Sequence, residues 1–176
     1  MTPTRITSLD DPQLRGLFSG IRASWFRLEA LQRYDVSYER AEFEAFLRGE
    51  DAIERGPWEE MISAHAAAGK RLERVHVITE PLTDYIRYEL AYYQVAAAAG
   101  EDVRLIPVPA GGDWPAGVPR LDYWLLDDRD VWTMAYDADG RFRQAMRARG
   151  MLLQARRWRN AALAQSVPLA DYALAA

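Results

Sequence analysis

The stretch Lys70–Pro109 restricts the fold more than any other, because it reads as one strand–helix–strand unit. Leu72, Val75, Val77 and Ile78 form a short, β-branched apolar run, the pattern of a buried strand. The run stops at Thr79-Glu80-Pro81. Thr83 or Asp84 then suits the cap of a helix that continues through Tyr85, Ile86, Tyr88, Glu89, Tyr92 and Tyr93 to Ala99 and ends at Gly100. Val103, Leu105 and Ile106 form the next strand. Ligands of α/β units gather at the carboxyl ends of strands beside helix N-termini, so Glu80, Thr83, Asp84 and Arg87 are expected at any such site.

The remaining chain adds elements on both sides. Asp10 or Asp11 with Pro12 opens a first helix carrying Leu14, Leu17 and Phe18 on one face. Ser24–Leu31 alternates Trp25, Arg27 and Glu29 against Phe26, Leu28 and Ala30, a strand pattern short enough to leave helix open. Ser37–Gly49 places Phe43, Phe46 and Leu47 on one helical face, and Pro57 opens another helix that closes at Gly69. Four prolines and three glycines between Pro107 and Pro119 predict a surface loop, with Trp114 folded back onto the core. Leu121–Tyr136 reads as a β-hairpin turning at Asp127–Asp130. Arg143–Ala164 reads as an arginine-rich helix that Gly150 divides.

These elements predict an α/β (or α+β) fold with a small sheet, a strand–helix–strand unit and a hairpin, flanked by helices. At 176 residues one domain is expected, with a helical part over 10–69, the sheet part over 70–142 and an arginine-rich helical part over 143–176. Lys70 is the only lysine among 22 basic side chains, the usage of a high-GC bacterial coding sequence. No apolar run approaches the ~20 residues of a membrane span, the first eleven residues lack a signal-peptide layout, and a cytoplasmic location is expected.

Several chemistries are excluded. The chain has no cysteine, so it has no disulfide, thiolate metal site or thiol nucleophile. GxxxxGK[ST], GxGxxG and GxSxG are all absent. His65 and His76 are too far apart for a local metal pair, and His76 is expected to be a satisfied strand histidine. Asp127, Asp128 and Asp130 lack the glycine and spacing of a calcium loop. No metal and no cofactor are therefore expected.

Two local patterns remain. Tyr85, Tyr88, Glu89 and Tyr92 share one helical face, either as a polar aromatic pocket or as rings that bury and hydrogen-bond their hydroxyls. Seven arginines fall within Arg141–Arg159 of a chain whose net charge is −4. Among these, Arg156, Arg157 and Arg159, around Trp158, are the candidates for nucleic-acid contact.

Phe26-Arg27-Leu28-Glu29, Gly69-Lys70-Arg71 with Arg74-Val75, and Glu80-Pro81-Leu82-Thr83-Asp84-Tyr85 with Arg87 and Glu89 occur in order. Gly100-Glu101-Asp102-Val103-Arg104, Asp122–Arg129, Tyr136-Asp137 and Gly140-Arg141-Phe142 follow them. This succession resembles a high-GC bacterial family of uncharacterised domains encoded beside helix-turn-helix regulators. The order of elements is also similar, at the level of topology, to one half of the phospholipase-D-like fold. The HxKxxxxD motif of those enzymes is missing here, since His76 is followed by Val77 and Ile78 and Lys70 precedes it.

The absence of every catalytic signature, these ordered blocks and the polar cluster Arg27, Glu29, Arg74, Glu80, Asp84, Arg87 and Glu89 together point to a non-enzymatic ligand-sensing or protein-interaction module associated with transcriptional regulation. Its expected partner is a helix-turn-helix regulator or another protein, with a homodimer or a small-molecule ligand also open. The ligand-binding candidates are Arg27, Glu29, Arg74, Glu80, Asp84, Tyr85, Arg87, Tyr88 and Glu89. Two other readings stay open. One is a cofactor-free acid–base enzyme built on a carboxylate and tyrosine pocket, and the other is nucleic-acid binding through the C-terminal arginines.

Overall fold

A computed structural model describes residues 4–51 and 53–172. Its elements follow the order β1 (Arg5–Ile6), α1 (Pro12–Ser19), β2 (Ser24–Glu29), α2 (Arg40–Leu47), α3 (Pro57–Ala67), β3 (Arg71–Thr79), α4 (Asp84–Ala99), β4 (Asp102–Val108), β5 (Asp122–Leu126), β6 (Asp130–Tyr136), β7 (Phe142–Arg147), α5 (Leu152–Gln165) and β8 (Val167–Pro168). The fold is mixed α/β. All strands join one eight-stranded sheet in the order β1-β7-β6-β5-β2-β3-β4-β8, larger than the small sheet expected from sequence. At its centre β2, β3 and β4 run parallel, while β5, β6 and β7 form an antiparallel meander joined to β2.

Local chemistry sets the element ends. The Asp11 carboxylate accepts the Gln13 N–H and caps α1, and the Thr83 hydroxyl accepts the Ile86 N–H and caps α4. Helix α4 ends at Gly100, whose φ of +117° suits a residue without a side chain. A Cβ there would stand 2.6 Å from the Ala66 Cβ, so Gly100 also permits α3 and α4 to pack closely.

The segment read as the start of a long arginine-rich helix is the exception. Residues 142–147 are strand β7, and the helix begins only at Leu152. Cross-strand partners outweigh helix propensity here: Arg147 pairs with Asp130 at 2.6 Å, and Arg143 with Asp137 at 2.6 Å. The Pro/Gly-rich loop is present, and Trp114 is half-buried against the core, donating to the Val118 carbonyl.

The sheet has two unlike faces. Helices α1, α3 and α4 cover one, packing on Trp25, Leu72, Ile78, Leu105 and Trp124. Helix α5 and the Pro/Gly-rich loop cover the other, over Phe26, Leu28, Val75, Val77 and Leu125. Helix α2 packs on the outer end of α4 through Phe43, Phe46, Tyr85 and Tyr88.

Candidate functional site

Side chains alternate along a strand, and parallel register places Arg27 of β2 beside Arg74 of β3 and Glu29 beside His76. All four point to the α4 side. Arg74 is buried, and its Nε donates to Glu101 at 3.0 Å and its Nη1 to Glu29 at 3.1 Å. Arg27 meets the other Glu29 oxygen at 2.6 Å, and Trp25 donates to Glu101 at 3.1 Å. Both arginines lie against rings, Arg27 over Trp124 and Arg74 over Tyr93. Two guanidinium groups thus oppose two carboxylates. Burial disfavours the Glu29 charge, but Arg27 and Arg74 outweigh it and hold the carboxyl down at about 2.

Around this balanced core lies an acid surplus. Asp122 accepts the Ala30 N–H at 2.8 Å and the Tyr34 hydroxyl at 2.5 Å, yet burial, then Glu29, raise its carboxyl to about 7. Burial, with Glu29 and Glu39, pushes Glu89 well above the carboxylate range. Burial also lowers His76, so its 3.4 Å approach to Glu89 joins two neutral groups rather than an ion pair. The Leu31 carbonyl lies 2.7 Å from His76 Nε2 and only accepts, so Nε2 carries the proton. Nδ1 is then the acceptor. It lies 2.8 Å from the Tyr93 hydroxyl, which is also 3.0 Å from Glu29. Tyr93 has one proton for two acceptors, and the buried, otherwise unbonded Oε2 of Glu89 faces the same Nδ1. Glu29, Tyr93, His76 and Glu89 form one proton-sharing chain.

The tyrosine face of α4 joins the helices. Tyr85 donates to Glu39 at 3.0 Å, Tyr88 to Glu42 at 2.5 Å, and Tyr92 to Glu59. Three hydroxyls one turn apart therefore fasten α4 to α2, to the turn before it and to α3.

The sequence candidates separate into two sets. Arg27, Glu29, Arg74 and Glu89 converge, with Tyr85 and Tyr88 at their margin. Glu80, Asp84 and Arg87 lie at the end of β3 and form no bond to this cluster, so the nine candidates do not make a single site. Glu80 accepts the Tyr172 hydroxyl, Asp84 and Arg87 are exposed, and the Thr83 hydroxyl caps α4 and donates to the Gln32 carbonyl. Among the arginines proposed for nucleic acid, Arg156 and Arg159 both bind Asp128, at 2.9 and 2.7 Å, and Arg157 is exposed. Among the described residues no group of three or more His, Asp or Glu is arranged to hold a metal ion, and no helix is long and apolar enough to cross a membrane.

Sequence reading missed Asp122, Glu101, Glu39, Tyr34 and Tyr93 as parts of the cluster. Asp122 carried a usable signal, an acid in register with the inward face of a strand that otherwise presents Trp124 and Leu126.

Access to the cluster is narrow. The Glu29 and Arg74 side chains are almost fully covered, while Arg27 keeps 21% of its side chain exposed. Open space lies along residues 31–36, the segment that follows β2. One cavity of about 400 Å³ is lined by Gln32, Arg33, Asp35 and the turn Ala138–Arg141. An adjoining one of about 200 Å³ is lined by Tyr34, Val36, Glu39, Phe43, Leu47 and Tyr85. Arg33 and Asp35 belong to both. Gly140 allows the close approach there, since a Cβ would stand 2.5 Å from the Arg33 carbonyl oxygen. Burial raises Glu39 to about 6, against the pull of the Tyr85 hydrogen bond and Arg27.

Among solved structures the chain is similar to a phosphatidylserine synthase crystal structure from Haemophilus influenzae Rd KW20, with a TM-score of 0.49 and 12% identity. The match covers 93% of this chain and 38% of that one, so the chain spans well under half of its length. No curated protein matches the sequence. Residues 12–174 match the family described as a domain of unknown function (DUF6879), and the chain belongs to that family.

Proposed function

We propose that the chain is a cytoplasmic, non-enzymatic binding module that docks a protein partner, with a helix-turn-helix regulator as the partner class implied by the sequence resemblance. The observation that carries this reading is the division between a closed charge cluster and an open groove. Glu29, Arg74, Glu101, His76 and Glu89 are buried and engage mainly one another, which makes them a scaffold. The groove along residues 31–36 adjoins α2, where Leu47 is 52% exposed, and lies near Tyr38, which is 70% exposed in the turn before it. The same enclosure argues against phospholipase-D-type chemistry, because the His76 ring is wholly buried with Nε2 committed to Leu31 and Nδ1 facing Tyr93.

A second reading, acid–base catalysis without a cofactor, draws on one observation. Glu39, raised to about 6, stands in a cavity wall within hydrogen-bonding distance of Tyr85.

Capture from extracts of the native host with the purified chain, followed by quantitative mass spectrometry, separates the two. The docking reading expects one protein at near-stoichiometric yield with wild type and its loss with Leu47→Asp. A metabolite consumed in the extract, with no protein captured, would transfer the assignment to the enzyme.

A further inference from the structure

We infer that the smaller cavity receives a basic side chain of the docked partner, held against the Tyr85 and Phe43 rings that line it, with its charge on Glu39. This deepens the docking reading and rests on it. The cavity's volume of about 200 Å³ equals that of about seven waters at ~30 Å³ each, room for a guanidinium or ammonium head with its last methylenes. Its walls combine the two features that select an organic cation, aromatic rings from Tyr34, Phe43 and Tyr85 and a carboxylate among them.

The charges nearby leave the place for a cation open. Asp35 is already satisfied by Arg40, at 2.8 and 3.1 Å, and by Arg141 at 2.9 Å. Arg27 is committed to Glu29. Arg33 lies exposed on the rim. Among the described residues Glu39 forms no ion pair, and its hydrogen-bond donor is the neutral Tyr85 hydroxyl. Behind the cavity wall, Asp122 bonded to Tyr34 and the buried Glu89 extend the acid surplus. The fold meets this surplus with protons where a partner's cation would meet it with charge.

The test is an NMR titration of the labelled full chain with ethylguanidinium and butylammonium, using butylurea as the neutral control. Saturable shifts confined to residues 34–47 and to Tyr85 are expected from one or both cations. Butylurea should leave those signals unmoved. Glu39→Gln keeps an acceptor for the Tyr85 hydroxyl and should weaken cation binding about tenfold. Phe43→Leu, which keeps the apolar volume, should weaken it about threefold through loss of the ring.

Binding should also weaken about tenfold between pH 7 and pH 5, as Glu39 takes up its proton. The other titratable and charged groups acting on Glu39 are Arg27, Glu29, Tyr38, Glu42, Tyr85, Tyr88 and Glu89, and Arg33, Asp35, Arg40 and Glu44 share its cavity, so Glu39→Gln should remove most of this pH dependence. Equal binding of butylurea, or cation shifts unaffected by Glu39→Gln, would overturn the inference. So would capture of the wild-type partner undiminished by Glu39→Gln, which would leave the docking reading standing. Absence of any captured protein would instead reject the docking reading itself.

Discussion

The two faces of strands β2 and β3 are built from alternating residues of the same segments and solve opposite problems. Toward α5, Phe26, Leu28, Val75 and Val77 form a dry apolar layer in which each side chain is stabilised simply by leaving water. Toward α4, Arg27, Glu29, Arg74 and His76 occupy the interleaved positions. The charges there pair with one another, Glu29 with Arg27 and Arg74, and the set is completed from elsewhere by Glu101 beside β4 and Tyr93 from α4. The apolar face shows that these strands are well covered without ions. Burying ions costs several kcal/mol each before pairing returns it. The polar face therefore adds little net stability and instead requires that its members be present together. An apolar layer degrades by increments, whereas a compensated charge set fails when one member is removed.

The largest effect should come from breaking that set. Arg74→Met leaves Glu29 and Glu101 buried with reduced compensation, and urea unfolding should show a loss of about 3–5 kcal/mol. Leu28→Ala on the opposite face should cost a comparable ~2–5 kcal/mol through its cavity. The distinction lies in repair. Adding Glu101→Gln to Arg74→Met should recover about 1–3 kcal/mol relative to the sum of the single losses, because the orphaned charge is gone while Trp25 keeps an acceptor. Strict additivity of the pair would mean that the polar face behaves like the apolar one.

The next effect concerns pH. Asp122 is raised from 3.8 to about 7, so between about pH 4 and 7 the folded chain holds a proton that the unfolded chain has released. Stability from this group falls as pH rises through that window, by up to ~4 kcal/mol at about 1.4 kcal/mol per pKa unit. His76, lowered by burial, acts in the opposite sense, gaining stability as pH rises toward its ordinary 6.5. Wild-type melting curves alone would mix the two. The difference between Asp122→Asn and wild type isolates Asp122. The variant should gain relative stability steadily from about pH 4 to about pH 7 and level off above that, since its amide accepts from Ala30, donates to Tyr34 and never ionises. A pH-independent difference would refute a protonated Asp122 in the folded chain.

How much of this was legible in the sequence follows the same division. The strand–helix–strand unit was readable because local rules suffice for it: a β-branched run, a threonine cap and a glycine at the end of α4. The apolar face was readable from alternation. Strand β7 was not, because Arg143, Gln144, Ala145 and Met146 carry no alternation of polarity, and its strand state depends on Asp130 and Asp137 across the sheet. The charge cluster was half readable. Arg27, Glu29, Arg74 and Glu89 stood out as polar residues on elements that should be buried. Asp122 meets Tyr34 across 88 residues, and Glu101 meets Arg74 across 27 and Trp25 across 76, separations that local pattern does not report. Glu80, Asp84 and Arg87 are the converse case: they lie at the end of β3 as read, but Asp84 and Arg87 face solvent and Glu80 bonds Tyr172, so none of them reaches the charge cluster.

A moderate effect should separate the hydroxyls of α4. Tyr93→Phe removes a buried donor to Glu29 and should cost about 1.5–3 kcal/mol. Tyr88→Phe, whose partner Glu42 is partly exposed, should cost about 1 kcal/mol. Equal losses would mean that the cluster's interior is no more demanding than its margin.

The smallest effect on stability is expected at the exposed margin, from Leu47→Asp. Leu47 ends α2 with half of its surface open, so its replacement removes little buried area and should move the unfolding free energy by no more than about 0.5 kcal/mol. A new carboxylate at the last turn of a helix opposes the helix dipole, and the small cost should therefore be destabilising. If the groove beside it is a docking surface, the same variant should abolish partner capture while its melting temperature stays within a few degrees of wild type. The two readouts are needed together. A variant that loses capture and unfolds early would show only that α2 had detached from Tyr85 and Tyr88. A variant that keeps both its stability and its partner would show that the interface lies on another part of the surface.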